Sequence, residues 1–191
     1  MRWNKHLELE GKHAFLSPSQ YHWINYDDEK LIFMFKNMLA TERGTAIHDL
    51  AARLIKLNQK LPKEQKTLNM YVNDAIGFKM KPEQPLKFSD NFFGTADAIS
   101  FRKERKSSTH VLRIHDLKTG TIKAHMEQLM LYAALFCLEY KVNPKDIDIE
   151  LRIYQNNDIQ ICNPTDEAII ELMATGKRFD TLIEKMLEEE E

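Results

Sequence analysis

The chain has 191 residues, of which 43% are hydrophobic and 29% charged, with six glycines and six prolines. This length suits one domain with a buried core, and the composition excludes a disordered or low-complexity chain. The formal net charge is -2, and without the four terminal glutamates 27 basic side chains face 25 acidic ones. Because the chain lacks the strong basic charge of many nucleic-acid-binding proteins, any DNA-binding surface must be local.

Targeting and redox signals are few. The N-terminus carries charges throughout, and no apolar run approaches the roughly 18 residues that a membrane helix needs, so we expect neither secretion nor membrane insertion. Cys137 and Cys162 lie in apolar segments without a short pairing motif, which favours buried free thiols and a reducing cytoplasm.

The first part of the chain is predicted to be helical. Ser17, Pro18 and Gln20 form an S-x-x-Q capping pattern that predicts a short helix. Apolar residues at three- and four-residue steps predict an amphipathic helix over about 42–58, and a second helix follows over about 68–78.

Two strands are predicted next. Pro82 and Pro85 indicate a loop. The segments 92–101 and 109–117 are rich in β-branched and aromatic residues and are separated by a polar run, which is typical of an antiparallel pair.

The last part alternates helix and strand. Residues 125–140 are apolar on nearly every face and predict a helix packed on a sheet. Alternation over 147–154 predicts a strand paired with 159–162, and Asn163 and Pro164 begin a final helix. We therefore expect an α/β fold, a mixed central β-sheet flanked by helices. One domain, 1–191, would comprise a helical part at about 1–80, a sheet core at about 85–162 and a C-terminal helix at about 164–188.

Asp116 and Lys118 are candidate catalytic residues. They stand two apart on a predicted strand, so both side chains face one side of the sheet. A carboxylate that holds a hard divalent ion, beside a fixed cation, suits phosphodiester hydrolysis. Asp97 lies on the preceding strand among small and apolar residues, and if the two strands pair, Asp97 and Asp116 share a cation.

Two predicted helices carry further candidates. His48 follows Gly44, a residue that permits close backbone approach, while Gln128 and Tyr132 share one helix face. Each of these residues also fits a purely structural role: a surface ion pair, a carboxylate capped by backbone, or a satisfied polar group in the core.

Taken together, four segments resemble, in order and spacing, the motifs of RecB-like PD-(D/E)XK nucleases: Gly44 to His48, Gly94 to Asp97, Asp116 to Lys118 and Gln128 to Tyr132. The segment Leu16 to Trp23 is similar to the opening of phage-encoded exonucleases of this group. The resemblance implies a restriction-endonuclease-like core and a DNA-cutting enzyme.

The resemblance also implies roles for individual residues. Asp97, Asp116, His48 and the main-chain carbonyl of Leu117 would bind Mg²⁺ or Mn²⁺. Lys118 would position the nucleophilic water or the phosphate, and the last pair of residues, Gln128 and Tyr132, would support the substrate and the site.

The resemblance extends to cofactors and partners. Some members carry four cysteines for an iron-sulfur cluster, whereas this chain has two, so no such cluster is expected. Relatives are encoded near a single-strand annealing protein, which suggests a cytoplasmic exonuclease of a bacterial or phage-infected cell that acts in phage DNA recombination, replication or repair.

Four cations are candidates for sequence-independent contacts with DNA phosphates, although such a run is also ordinary for a solvated loop: Arg102, Lys103, Arg105 and Lys106. The lysines between Lys56 and Lys66 are a second such set. No segment resembles a base-reading helix or zinc finger, so binding specific to a base sequence is not expected.

Three alternatives remain open. His48, His115 and His125 could form a zinc site, although His115 and Asp116 face opposite sides of a strand. A DNA-binding protein with the same fold could lack cutting activity. The chain could also be the nuclease subunit of a helicase-nuclease or CRISPR-associated complex, with the acidic tail from Glu184 as a partner contact.

Overall fold

The computed structural model describes residues 14–103 and 109–190. The chain divides into two compact units, Met1–Arg43 and Gly44–Glu191. In the first unit a 3-10 helix, Pro18–Asn25, follows Ser17. The Ser17 side chain caps no backbone group and instead bonds the Ser19 hydroxyl, so the predicted capping box is wrong.

The described chain also contains four α-helices, five strands and a second 3-10 helix, Pro144–Asp146. The helices are α1 (Asp28–Lys56), α2 (Thr67–Gly77), α3 (Glu127–Tyr140) and α4 (Asp166–Glu190). The strands are β1 (Lys81–Lys87), β2 (Phe93–Lys103), β3 (His110–Leu117), β4 (Ile147–Gln155) and β5 (Asp158–Cys162).

The five strands form one mixed sheet in the order β1-β2-β3-β4-β5. β3 and β4 are parallel and are connected through α3, whereas the other neighbours are antiparallel. β3 is central, and all its residues from Val111 to Leu117 are buried, as expected of a strand covered on both faces. The predicted α/β class with a mixed sheet flanked by helices is confirmed.

Two hydrophobic clusters cover the sheet. One contains Leu112 and Ile114 together with buried residues of α3 and α4. The other contains Leu117 and Tyr154 together with α2 and the last part of α1. Because successive residues of a strand point to opposite faces, β3 contributes to both clusters.

The predicted loop at Pro82 and Pro85 is wrong, because both prolines lie in β1. β1 is an edge strand with β2 on one side only. A proline has no amide hydrogen to donate to a neighbouring strand. It can still occupy an edge strand, where the backbone groups on the outer side have no neighbouring strand to bond.

Two predicted helix starts are also wrong. α1 begins at Asp28 rather than near residue 42. At this observed start, Asp27 Oδ1 accepts a hydrogen bond from Lys30 N at 2.7 Å. α4 begins at Asp166, and Thr165 Oγ1 accepts from Ala168 N at 3.3 Å, so the cap is Thr165 rather than Asn163.

Candidate functional site

The pairing of β2 with β3 brings two carboxylates together. Ala98 of β2 pairs with His115 of β3. Because the strands are antiparallel, Asp97 lies across from Asp116 one residue further along. Asp97 Oδ2 accepts a hydrogen bond from Leu117 N at 3.0 Å. The Asp116 side chain is only 5% exposed, and burial, followed by the charge of Asp97, raises its pKa. Two acidic groups therefore meet where little water can screen them.

α1 brings His48 to the same carboxylates. His48 Nδ1 lies 3.3 Å from Asp97 Oδ2, and the hydrogen bond to Asp97 raises the pKa of His48. One turn earlier, Gly44 lies within the helix rather than near its start. A Cβ on Gly44 would lie 2.9 Å from Thr119 Oγ1, so the absence of a side chain lets the helix approach the segment that follows β3.

Lys118 lies directly after β3, between a carboxylate and an amide. Its Nζ is 3.0 Å from Asp116 Oδ2 and donates to Gln128 Oε1 at 3.0 Å. The contact with Asp116 is an ion pair without hydrogen-bond geometry, since Asp116 Oδ2 is buried and has no hydrogen-bond partner among the described residues. The ammonium is therefore held from two sides.

Tyr132 completes the α3 side of the site. It is one turn after Gln128 on α3, and burial raises its pKa. A Cβ on Gly94 would lie 3.0 Å from Tyr132 Cε1 and 3.4 Å from its hydroxyl. Gly94 thus leaves room for the phenol beside β2.

Glu83 is a site residue that the sequence did not reveal. Its carboxylate, His48 and Asp97 each offer one ligand atom, and these atoms lie within 4.8 Å of one another. Burial, and then the charge of Asp97, raises the pKa of Glu83. Its one signal in the sequence is an acidic residue between two prolines, a local pattern that indicates a loop.

The sheet is distorted where Glu83 meets Asp97. Glu83 has φ 50°, in the left-handed region that a non-glycine residue seldom adopts. The ladder pairs on either side of the distortion are Pro82 with Ala98 and Gln84 with Ala96.

The side-chain alternation of β2 changes at this distortion. Ala96 and Ile99 pack in the same hydrophobic cluster, although they are three positions apart, while Ala98 packs in the other cluster. A regular strand would place Ala96 and Ala98 on one face. The two alanines instead lie on opposite faces, so the backbone turns over between them, at Asp97. Such local distortion is often found at functional sites, where it re-aims a side chain.

The donor set fits a hard divalent cation. Carboxylate oxygens are the ligands that Mg²⁺ and Mn²⁺ prefer, and an imidazole also suits Mn²⁺. Among the described residues, Asp97 and Glu83 supply carboxylates and His48 a ring nitrogen at metal-ligand spacing. Asp116 is not a member of this group, and its carboxylate lies across from Asp97 on the neighbouring strand. Burial, and then the negative charge of Asp97, raises the pKa of both Asp116 and Glu83, and a bound cation would relieve this repulsion.

The zinc alternative is wrong, because the structure does not bring its histidines together. Among the described residues, the group with metal-ligand spacing contains neither His115 nor His125. His115 is fully buried, its Nδ1 lies 3.2 Å from the Tyr154 hydroxyl, and burial lowers its pKa well below the usual value. His125 is exposed, with its Nδ1 4.0 Å from Glu127.

Two of the predicted DNA-binding cations lie beyond Asp97 on the same strand. Arg102 and Lys103 end β2, and Arg102 Nη2 donates to the Lys79 carbonyl at 3.4 Å. Arg105 and Lys106 lie outside the described residues.

Comparison with known proteins found no matching family model, no matching curated protein and no matching solved structure. Within residues 14–103 and 109–190, no helix is both long enough and apolar enough to cross a membrane.

Proposed function

We propose that the chain is a metal-dependent DNA nuclease that hydrolyses phosphodiester bonds. The observation that supports this most is the convergence of residues from four separate segments. Asp97 and Asp116 meet across two strands, His48 contacts Asp97 from α1, and α3 supplies the amide beside Lys118. A role as an exonuclease in phage DNA recombination, replication or repair rests on the motif resemblance.

The carboxylates and the imidazole form the metal-binding part of the site. Asp97, Asp116, Glu83 and His48 would hold Mg²⁺ or Mn²⁺, and the resemblance adds the main-chain carbonyl of Leu117. When bound, such an ion polarises the phosphate and makes a water molecule more acidic.

Lys118 is the side chain that would act directly on the substrate. Its ammonium, held 3.0 Å from both Asp116 Oδ2 and Gln128 Oε1, can orient the attacking water or the scissile phosphate. It also stabilises the negative charge that develops on the phosphate oxygens. Gln128 keeps the lysine in place, and Tyr132 offers a hydroxyl near the same surface.

The two other functions predict different behaviour of the purified chain. A DNA-binding protein without activity would bind but never cut, whereas a subunit of a larger complex would cut only with its partners. The presence of every residue of the motif set favours an active enzyme.

The test is an assay on linear DNA with Mg²⁺ or Mn²⁺, and with a chelator. We expect cutting only with metal, and its loss in Asp116→Asn and Asp116→Ala. Asp158→Asn, a change at an exposed aspartate of β5, is the matched control and should cut normally. Circular dichroism verifies that each variant is folded.

Cutting by Asp116→Ala at the normal rate would contradict the mechanism. DNA labelled at its 5′ or 3′ end, circular DNA and single-stranded DNA in the same assay distinguish exonuclease from endonuclease activity and give the polarity.

A further inference from the structure

A groove of about 400 Å³ lies beside β1 and β2, at the end of β2 away from Gly94. Six of the residues that line it are cationic or aromatic: Lys79, Lys81, Arg102, Phe101, Phe136 and Tyr140. We propose that this groove binds a single strand of the nucleic acid whose cleavage is proposed above, with bases stacked on its aromatic rings. The inference rests on that proposed function and extends it to the form of the substrate.

The aromatic rings form a continuous row. Phe101 stacks on His110 with ring centroids 4.9 Å apart, and its ring centroid is 5.1 Å from that of Phe136. The centroids of Phe136 and Tyr140 are 4.8 Å apart. Phe101 is 37% exposed and Tyr140 is 51% exposed, so both rings offer apolar surface to a ligand. Unstacked bases bind to such surfaces regardless of their identity.

The charges of the groove suit a polyanion. Lys79, Lys81 and Arg102 line it, and no acidic residue is among the described residues that do so. Two of these residues are in direct contact, since Arg102 Nη2 donates to the Lys79 carbonyl at 3.4 Å. Cations beside aromatic rings are the arrangement with which proteins bind single strands, since phosphates and bases are contacted together.

The groove is also connected to the candidate site through two shared elements. Asp97 and Phe101 lie four residues apart along β2, which corresponds to about 13 Å of strand. This separation corresponds to about four nucleotides at the duplex rise of about 3.4 Å, and to fewer in an extended strand. On α3, four side chains follow one another at four-residue intervals from the site to the groove: Gln128, Tyr132, Phe136 and Tyr140.

A single strand fits the groove better than a duplex. In a duplex the bases are stacked on one another, so their faces are not available to Phe101 and Tyr140. An extended peptide is the alternative occupant. Among the described residues, β1 pairs with β2 only as far as Ile99, so a peptide could pair with the open edge of β2 beyond it.

The experiment measures binding of fluorescein-labelled (dT)12 by fluorescence anisotropy in EDTA, where no metal-dependent cutting occurs. We expect Tyr140→Ala to weaken binding at least about five-fold, because one base stack is lost. Phe101→Leu, which keeps an apolar side chain but removes the ring, should have the same effect. Phe179→Ala, a change at a similarly exposed aromatic residue of α4, should leave binding unchanged.

Salt dependence tests the cations independently. A plot of the logarithm of the (dT)12 association constant against the logarithm of the salt concentration has a negative slope. Lys81→Ala should make this slope less steep by about 0.7, the value for one phosphate contact on a single strand. An unlabelled 12-base-pair duplex should compete less well than unlabelled (dT)12.

The inference would be overturned if Tyr140→Ala and Phe101→Leu bound (dT)12 as tightly as the unchanged protein does. That result is expected if the groove instead holds a peptide. Equal competition by the duplex would overturn it as well. Because binding is measured without metal, these outcomes are distinct from a failure of the Asp116 variants to affect cutting.

Discussion

Glu83 lies across from Asp97 at the position where the ladder between β1 and β2 is distorted, and the ligand atoms of the two carboxylates lie within 4.8 Å of one another. Neither carboxylate neutralises the other, and His48 is the third member of their cluster. The cluster is therefore a place where a divalent cation would relieve repulsion.

Glu83→Gln should weaken metal binding. We expect the rise in Tm on addition of Mn²⁺ to be smaller than in the unchanged protein, because a neutral amide binds a hard cation less well than a carboxylate. A ten-fold loss of affinity would reduce the stabilisation at saturating metal by about 1.4 kcal/mol. Glu171→Gln, at an exposed glutamate of α4, is the control. An equal rise in Tm for both variants would exclude Glu83 as a ligand.

Gln128→Ala should slow cutting without preventing it. Lys118 would keep its contact with Asp116 but lose the amide that holds it from the other side, so its ammonium would be less well positioned. We expect kcat to fall about ten-fold, equivalent to about 1.4 kcal/mol, with KM nearly unchanged. Gln59→Ala, at an exposed residue, should behave like the unchanged protein. A rise in KM at constant kcat would instead indicate a role in substrate binding.

Gly44→Ala should destabilise the fold, although alanine is the better helix former by about 1 kcal/mol. The new Cβ would lie 2.9 Å from Thr119 Oγ1, so the Thr119 side chain or the segment that carries it must shift. We expect the free energy of unfolding to fall by about 1–2 kcal/mol in urea denaturation. Gly77→Ala, where a Cβ would meet nothing within 4 Å, should not be destabilising. Thr119→Ala should restore part of the loss in the double variant, and additive effects would show that the contact is not the cause.

The two thiols should differ in reactivity. Burial raises the pKa of Cys137 to about 11, so about one molecule in a thousand carries the thiolate at pH 8. Cys162 is only partly buried, contrary to the prediction that both thiols are buried. Mass spectrometry after iodoacetamide treatment at pH 8 should find modification at Cys162 first, and at Cys137 only after denaturation. Equal rates in the folded protein would contradict this.

Most of the sheet could be predicted from local pattern. Alternation and β-branched residues located β2, β3, β4 and β5 within a few residues, and the antiparallel pairing of β2 with β3 is confirmed. β1 was missed because its two prolines are local signals for a loop. Only the position of the strand at the sheet edge makes those prolines acceptable, and edge position is not a local property.

Local sequence was sufficient for the short-range relationships in the candidate site: the two-residue step from Asp116 to Lys118 and the four-residue step from Gln128 to Tyr132. Helix periodicity accounts for the second step. Lys118 lies one residue beyond β3, but its amide still bonds to the Tyr154 carbonyl of β4 at 2.9 Å, so the strand pattern extends to it. Local pattern does not predict the approach of His48 to Asp97, which only the motif resemblance implied, and the meeting of Glu83 with Asp97 became visible only in the folded chain. These contacts depend on strand register and on the packing of α1, which are set by burial of the whole core rather than by neighbouring residues.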